Sequence, residues 1–405
     1  MTPSRSLLLS GLCAALGATA QAQLAVRGKT VHTMATGAIQ DGVVLIQGSR
    51  IERVGKAAEL RIPAGYEVLE AKVVTPGLID AHSVIGLSGY LNQKQDQDQL
   101  ERSAPMQPEL RAIDAYNPRE RLVDWVRGLA VTTIHTGHGP GAVISGQTMV
   151  VKTTGNSVEE ALLRPFAMLA ATLGDGAKGK DGKSPGNRAK AVAMLRGLLV
   201  KAREYLTGRR NASPEKKPDR DLGLEALGEV LEKRVPLLVT VHRAHDILAA
   251  LRVGSEFGID LVLDGCAEAY LVKDRIAAAG VPILVHPPMM RTHGETENAT
   301  MELAAICKKA GIPFAFQSGF ESYVPKTRVV LWEAAIALAN GSSFDDTLAA
   351  ITIEAAKILG VDDRVGSLVP GKDADLALFD GDPFEYTSHC TGVVINGKPL
   401  GDGPR

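Results

Sequence analysis

The chain has 405 residues, a formal net charge of −1 and a mean hydropathy near zero. That balance offers no electrostatic hold on nucleic acid or on an anionic membrane surface, and 4% aromatic residues leave few rings for stacking bases. The length suits one barrel domain with a small accessory domain.

The first residues read as a targeting segment. Arg5 gives a positive start, Leu7 to Leu16 is mostly apolar, and Ala20-Gln21-Ala22 is a small-x-small cleavage site. The apolar run is too short to span a bilayer. Leu12 is too bulky for a lipid anchor at Cys13. The reading is a signal peptide over 1–22 and a periplasmic or secreted mature chain from about Gln23, with no membrane contact after cleavage. Cys266, Cys307 and Cys390 are too few and too scattered for a disulfide framework.

Residues 24–75 hold short β-rich runs, Val43 to Ile46, Arg50 to Val54 and Tyr66 to Leu69, split by Gly and Pro. The last forty residues are alike. Ala374 to Phe379 and Val393 to Ile395 read as strands, and Asn396-Gly397 as a hairpin turn. Neither end alone could bury both faces of a sheet, so 23–75 and 366–405 are expected to form one small composite β-sandwich. Pro76 to Gly86 reads as a turn and a short buried strand carrying His82. Beyond it, Leu129 to Ile134, Met149 to Val151, Leu237 to Val241, Leu261 to Leu263, Pro282 to Val285 and Pro313 to Phe316 are near-continuous apolar runs, as in parallel strands covered on both faces. Helical periodicity fills 187–205, 246–257, 267–279, 297–310, 327–340 and 345–359. Repeated β–α units predict an α/β fold, a (β/α)₈ TIM barrel over 76–365. The polar stretch 91–118 reads as a lid at the barrel mouth, and 206–221 as a solvated excursion.

A barrel gathers reactive groups at the C-terminal ends of its strands. His82, His135, His138, His242 and His286 fall at such ends. Imidazole binds metals and moves protons near neutral pH, so the five allow a metal or acid–base site, or a polar mouth lined by hydrogen-bonded rings. His242, His286 and Asp264 are the catalytic candidates. Asp80 could orient the His82 ring. Cys266 as a nucleophile would need an adjacent base. Glu268, like Asp264, is a possible acid, and Tyr90, Glu321 and Arg291 are further pocket candidates.

The Pro76-to-His82 stretch resembles the PGLIDAH-x-H motif of the amidohydrolase superfamily. Val131-Thr132-Thr133, Gly146-Gln147, Ile351-Thr352 with Ala355 to Gly360, Gly366-Ser367-Leu368, Pro370 to Leu376, Asp382-Pro383 and Val394 to Gly397 are similar to its imidazolonepropionase-like branch. The likeness implies a hydrolase acting on C–N bonds of a small non-peptide or cyclic amide, with zinc or another divalent metal at the barrel mouth. Carried over position by position, His82 matches the first ligand and Val84 replaces the second. Thr240 and His242 fall on the two histidines of strand five. Gly265 replaces the histidine of strand six, and Gly319 the aspartate of strand eight. The donor set left for a metal is His82 and His242, with His135, His138 and Lys152 as further candidates. Lys152 is either a remnant of the family's metal-bridging lysine or a strand-end lysine paired with a carboxylate. Two functions follow: a hydrolase with an eroded centre that binds its metal weakly or not at all, or a non-catalytic binding protein that pairs with itself or with an active relative.

Overall fold

The computed structural model describes residues 23–179, 182–289, 291–320, 327 and 329–400. The signal peptide expected over 1–22, and Glu321, lie outside the described residues. No helix among the described residues is long and apolar enough to cross a membrane.

Both chain ends enter one seven-stranded sheet. Its order is Lys398–Leu400, Cys390–Ile395, Leu376–Phe379, Glu67–Pro76, Gln23–His32, Ala38–Gln47 and Arg50–Lys56. Side chains alternate across it, as a period of two demands. Leu24, Val26, Val44 and Ile46 share one apolar cluster, while Ala25, Val43 and Leu45 share another with Leu60. The ends of the sheet are drawn together where Arg50 bridges Asp373 and the Ile51 N–H donates to the Lys372 carbonyl at 2.9 Å.

Between the two ends the chain alternates strand and helix in a TIM-barrel type of α/β fold. Leu78–Ser83 pairs in parallel with Val131–Thr136. Leu169–Thr172, Leu237–Val241, Leu261–Gly265, Ile283–Val285 and Phe314–Phe316 pair in parallel in that order. The expectation of eight parallel strands needs one correction. Ile144–Gln147 and Met149–Lys152 run on through Thr148 and are antiparallel to both neighbours, pairing with Leu169–Thr172 on one side and Val131–Thr136 on the other. A β-rich run shows its burial in the sequence but not its direction, and the turn-rich 137–143 segment is too short for the helical crossover a parallel stave requires. The last strand approaches the first through the Ser83–Gly319 bridge. Ser318 adds two bonds there, its N–H (2.9 Å) and its hydroxyl both donating to the Asp80 carboxylate.

The helices keep the expected positions with altered ends. The Asn187 side chain caps Arg188–Asn211, accepting from the Lys190 N–H, so the start of the expected 206–221 loop is helical. Residues 345–359 split into Phe344–Ala350 and Ile353–Leu359. The 91–118 stretch carries only two short 3-10 turns and packs along the antiparallel stave, where Gln107 and Gln147 N–H groups bond Ile144 and Leu110 carbonyls.

Lys152 joins the strands to the terminal sheet. It is buried, and its ammonium meets Asp373 and Asp375 at 2.7 Å each and donates to Asn396. Asp373 also pairs with Arg50 and Arg364. A buried cation left alone would be costly, and so would these carboxylates without it. Lys152→Met is expected to destabilise the protein by about 3–5 kcal/mol, because Asp375 loses its countercharge. Denaturant unfolding of the variant against the wild type measures it.

Candidate functional site

Strand ends converge on a cavity of about 440 Å³, within the range of small-molecule sites. Its floor is His82, Thr240, His242, Asp264, His286, Gln317 and Ser318, and Gly265, Gly319, Pro140, Pro287 and Phe320 form less polar walls. Asp175, Arg291, His293 and Glu295 stand at its edge. The five residues Thr240, His242, Asp264, Gly265 and His286 come from adjacent parallel strands or the positions just past them. That is why side chains far apart in sequence meet.

Asp264 is the hub of the floor. Its Oδ2 accepts from the Thr240 hydroxyl at 2.5 Å, and Oδ1 accepts from the Gln317 amide and lies 3.3 Å from His82 Nδ1. Burial alone would push the Asp264 carboxyl up. The His82 charge and the bonds from His82, Thr240 and Gln317 outweigh it and hold the group below the usual carboxylate range. For His82, burial opposes the charged ring. Asp264, with a smaller contribution from Asp80, reverses that and raises the imidazolium. Asp80 is pushed up to about 6 by burial, against the Ser318 bonds. The reading of Asp80 as an orienting carboxylate changes in detail: it accepts from the His82 backbone N–H and from Ser318, while Asp264 holds the ring.

The other histidines separate. His242 and His286 line the cavity and are both lowered, by burial first, His286 to about 4. His135 lies beside His82, ring centroids 5.5 Å apart, but both its nitrogens are engaged. Nδ1 donates to the Ala81 carbonyl, and Nε2 sits 2.6 Å from the Thr148 hydroxyl. His138 is buried with no hydrogen-bond partner and is not among the cavity's lining residues. Lys152 is withdrawn from the site altogether by its carboxylates in the terminal sheet, which is the second of its two sequence readings.

Other candidates stand outside. Cys266 is buried and burial drives its thiol well above the usual range, the wrong direction for a nucleophile. Glu268 is tied to Arg243, Asn298 and the Ala244 N–H. Tyr90 lies half exposed under Arg121. Arg291 does reach the cavity. The expected lid, 91–118, contributes no lining residue. Sequence reasoning missed the edge of the mouth, where Arg188 binds Asp246, Glu295 and Asp175, and Arg243 binds Glu268 and Glu297. These pairs join residues 13 to 107 positions apart, separations at which no helix or strand period exists to read.

A hydrolytic zinc needs three or more convergent nitrogen or oxygen donors with a position left open. These residues do not fit one. Among the described residues, no group of three or more His, Cys, Asp or Glu side chains is arranged to hold a metal ion. Val84 and the two glycines have no side-chain donor, and Thr240 and Asp264 serve each other. The expected ligand set of His82, His242, His135, His138 and Lys152 is therefore not assembled. What remains is polar but incomplete: His82 Nε2, His242 Nδ1 and His286 Nε2 are buried without a hydrogen-bond partner.

Burial of neutral His135 and His286 has a consequence for acid stability. His135 is lowered to about 3 and His286 to about 4, whereas an unfolded histidine takes its proton near 6.5. Between these values the unfolded chain binds more protons, so stability present above about pH 6.5 is lost as pH falls toward 4. Each such ring contributes about 1.4 kcal/mol per pH unit across its window. His135→Gln, which keeps a donor and an acceptor, is expected to flatten the profile by about that slope. Unfolding midpoints from pH 7 to 4 measure it.

A profile of the amidohydrolase family matches residues 73–400. An amidohydrolase of Hapsidospora irregularis is 24% identical over 395 residues, covering 90% of this chain and 40% of its own length. This chain thus spans less than half of that relative. An imidazolonepropionase of Stenotrophomonas maltophilia is 25% identical over 391 residues, covering 90% of this chain and 93% of its own. A crystal structure of an amidohydrolase from Thermotoga maritima superposes with a TM-score of 0.88 at 30% identity, over 94% of this chain and 100% of that one.

Proposed function

The chain belongs to the amidohydrolase family, in its imidazolonepropionase-like branch, and from that premise we propose that it hydrolyses a C–N bond of a small cyclic or other non-peptide amide without a bound cation. We read the seven-stranded sheet as the family's composite domain beside a (β/α)₈-derived barrel, and the mature protein as periplasmic or secreted. One observation carries the reading. Among the described residues, five buried imidazole nitrogens lack a hydrogen-bond partner, and three of them belong to rings, His82, His242 and His286, that line one cavity. A buried polar atom left unpaired costs about 1–3 kcal/mol, so a ligand bringing hydrogen-bonding groups is favoured there.

The rings also divide by charge. His82 is raised by Asp264, while His242 and His286 are lowered by burial. Groups in one cavity pushed apart in this way suit acid and base roles. Water attacks the amide carbonyl and gives its proton to neutral His242. The leaving nitrogen takes a proton from the His82 imidazolium, and the C–N bond breaks. Thr240 and Gln317 hold Asp264, and through it the His82 ring.

A second reading rests on the lost donors, Val84, Thr240, Gly265 and Gly319. In it the cavity binds a ligand without turning it over, and the protein acts as the partner of an active relative. Chelator-treated mature protein, assayed against a panel of cyclic amides including imidazolones, separates the two. Turnover unaffected by chelator and reduced about a hundredfold in His82→Asn is the expected result. Saturable binding without turnover supports the second reading. Turnover that appears only on adding zinc overturns cation-free hydrolysis.

A further inference from the structure

We propose that Gly265 and Gly319 lock the centre in a cation-excluding form, because His242 and Pro287 stand where a ligand side chain at these positions would leave the backbone. The inference rests on the reading that no cation is held here, and extends it from missing donors to closed packing.

Gly265 ends the strand Leu261–Gly265 at φ +83, and Gly319 follows the strand Phe314–Phe316 at φ +73. Side-chain-bearing residues rarely adopt that left-handed region. Space is the stronger obstacle. A Cβ on Gly265 would lie 2.5 Å from His242 Cε1 and 3.0 Å from its Nδ1. A Cβ on Gly319 would lie 2.9 Å from Pro287 Cγ. No real Cβ tolerates the first contact, so any side chain at 265 must push the imidazole aside. Gly265 therefore positions His242: its bare backbone lets the ring settle against the strand end with Nδ1 uncommitted.

The remaining two family positions are closed differently. Val84 is buried, and Thr240 gives its hydroxyl to Asp264. Restoring donors one at a time thus meets a ring at 265, a proline at 319 and, at 240, a hydrogen bond already in use. The packing, as well as the residue list, argues against a cation.

A double-mutant cycle tests the lock without needing a ligand. Gly265→Ala is expected to lower the unfolding midpoint by several degrees in the wild-type background and by clearly less beside His242→Ala, since removing the ring removes the contact. Equal shifts in the two backgrounds overturn the proposal. The second arm is the donor-restored chain, Val84→His with Thr240→His, Gly265→His and Gly319→Asp, dialysed against zinc. Substoichiometric metal is expected, and one zinc per folded chain with a raised midpoint overturns the lock. Should that variant not fold, the cycle decides alone. A wild-type protein that hydrolyses nothing would sink the proposed activity yet leave this cycle unchanged.

Discussion

Asp264 lies out of water on the strand Leu261–Gly265, and its charge has to be answered from the strands around it. Thr240 comes from the neighbouring strand, Gln317 from the residue just past Phe314–Phe316, and His82 from the strand Leu78–Ser83 of another sheet. A buried carboxylate with one missing donor would cost several kcal/mol or take up a proton. Here all the donors are in place, and the result is a fixed ion pair at the cavity floor. The floor's geometry follows from that requirement. Thr240 and Gln317 are engaged by the same carboxylate, His82 is held by one nitrogen, and its other nitrogen is buried without a partner.

The same constraint acts between the strands and the terminal sheet with the signs exchanged. Lys152 is the buried charge there, and Asp373 and Asp375 answer it from the segment leading into Leu376–Phe379. The antiparallel direction of Met149–Lys152 makes this possible. Thr136 pairs with Met149 and Thr133 with Lys152, so the lysine is carried away from the C-terminal strand ends where the histidines collect. A lysine at the end of a parallel strand would have reached the mouth instead. One reversed stave therefore separates a frame-holding cation from a site that keeps only His82 and His242 of the family's usual donors.

This explains which parts were legible in the sequence. The PGLIDAH turn and strand, the apolar runs and the Pro370-to-Leu376 segment each express a local rule, and the strands appear close to where those rules put them. His82, His242, Asp264 and His286 were also readable, since strand-end position is itself local. The strand direction at 144–152 was not, because burial patterns carry no sign. Nor was the split among the histidines. His135 and His82 sit on paired strands, yet Ala81 and Thr148 absorb both nitrogens of one while Asp264 takes a single nitrogen of the other. Only tertiary neighbours distinguish a satisfied ring from an available one.

The glycines show how loss of a donor differs from loss of a site. Deleting a side chain at a strand end leaves a hole, and protein interiors do not keep holes that a neighbour can fill. His242 and Pro287 are those neighbours. Both residues line the cavity, and His242 Nδ1 lies buried against the Gly265 backbone without a hydrogen-bond partner. A side chain restored at 265 meets the His242 ring first, and one at 319 meets Pro287. A centre repacked in this way can still recognise a polar molecule, because hydrogen-bond recognition needs unpaired nitrogens at the wall, whereas a metal needs their lone pairs aimed at one point.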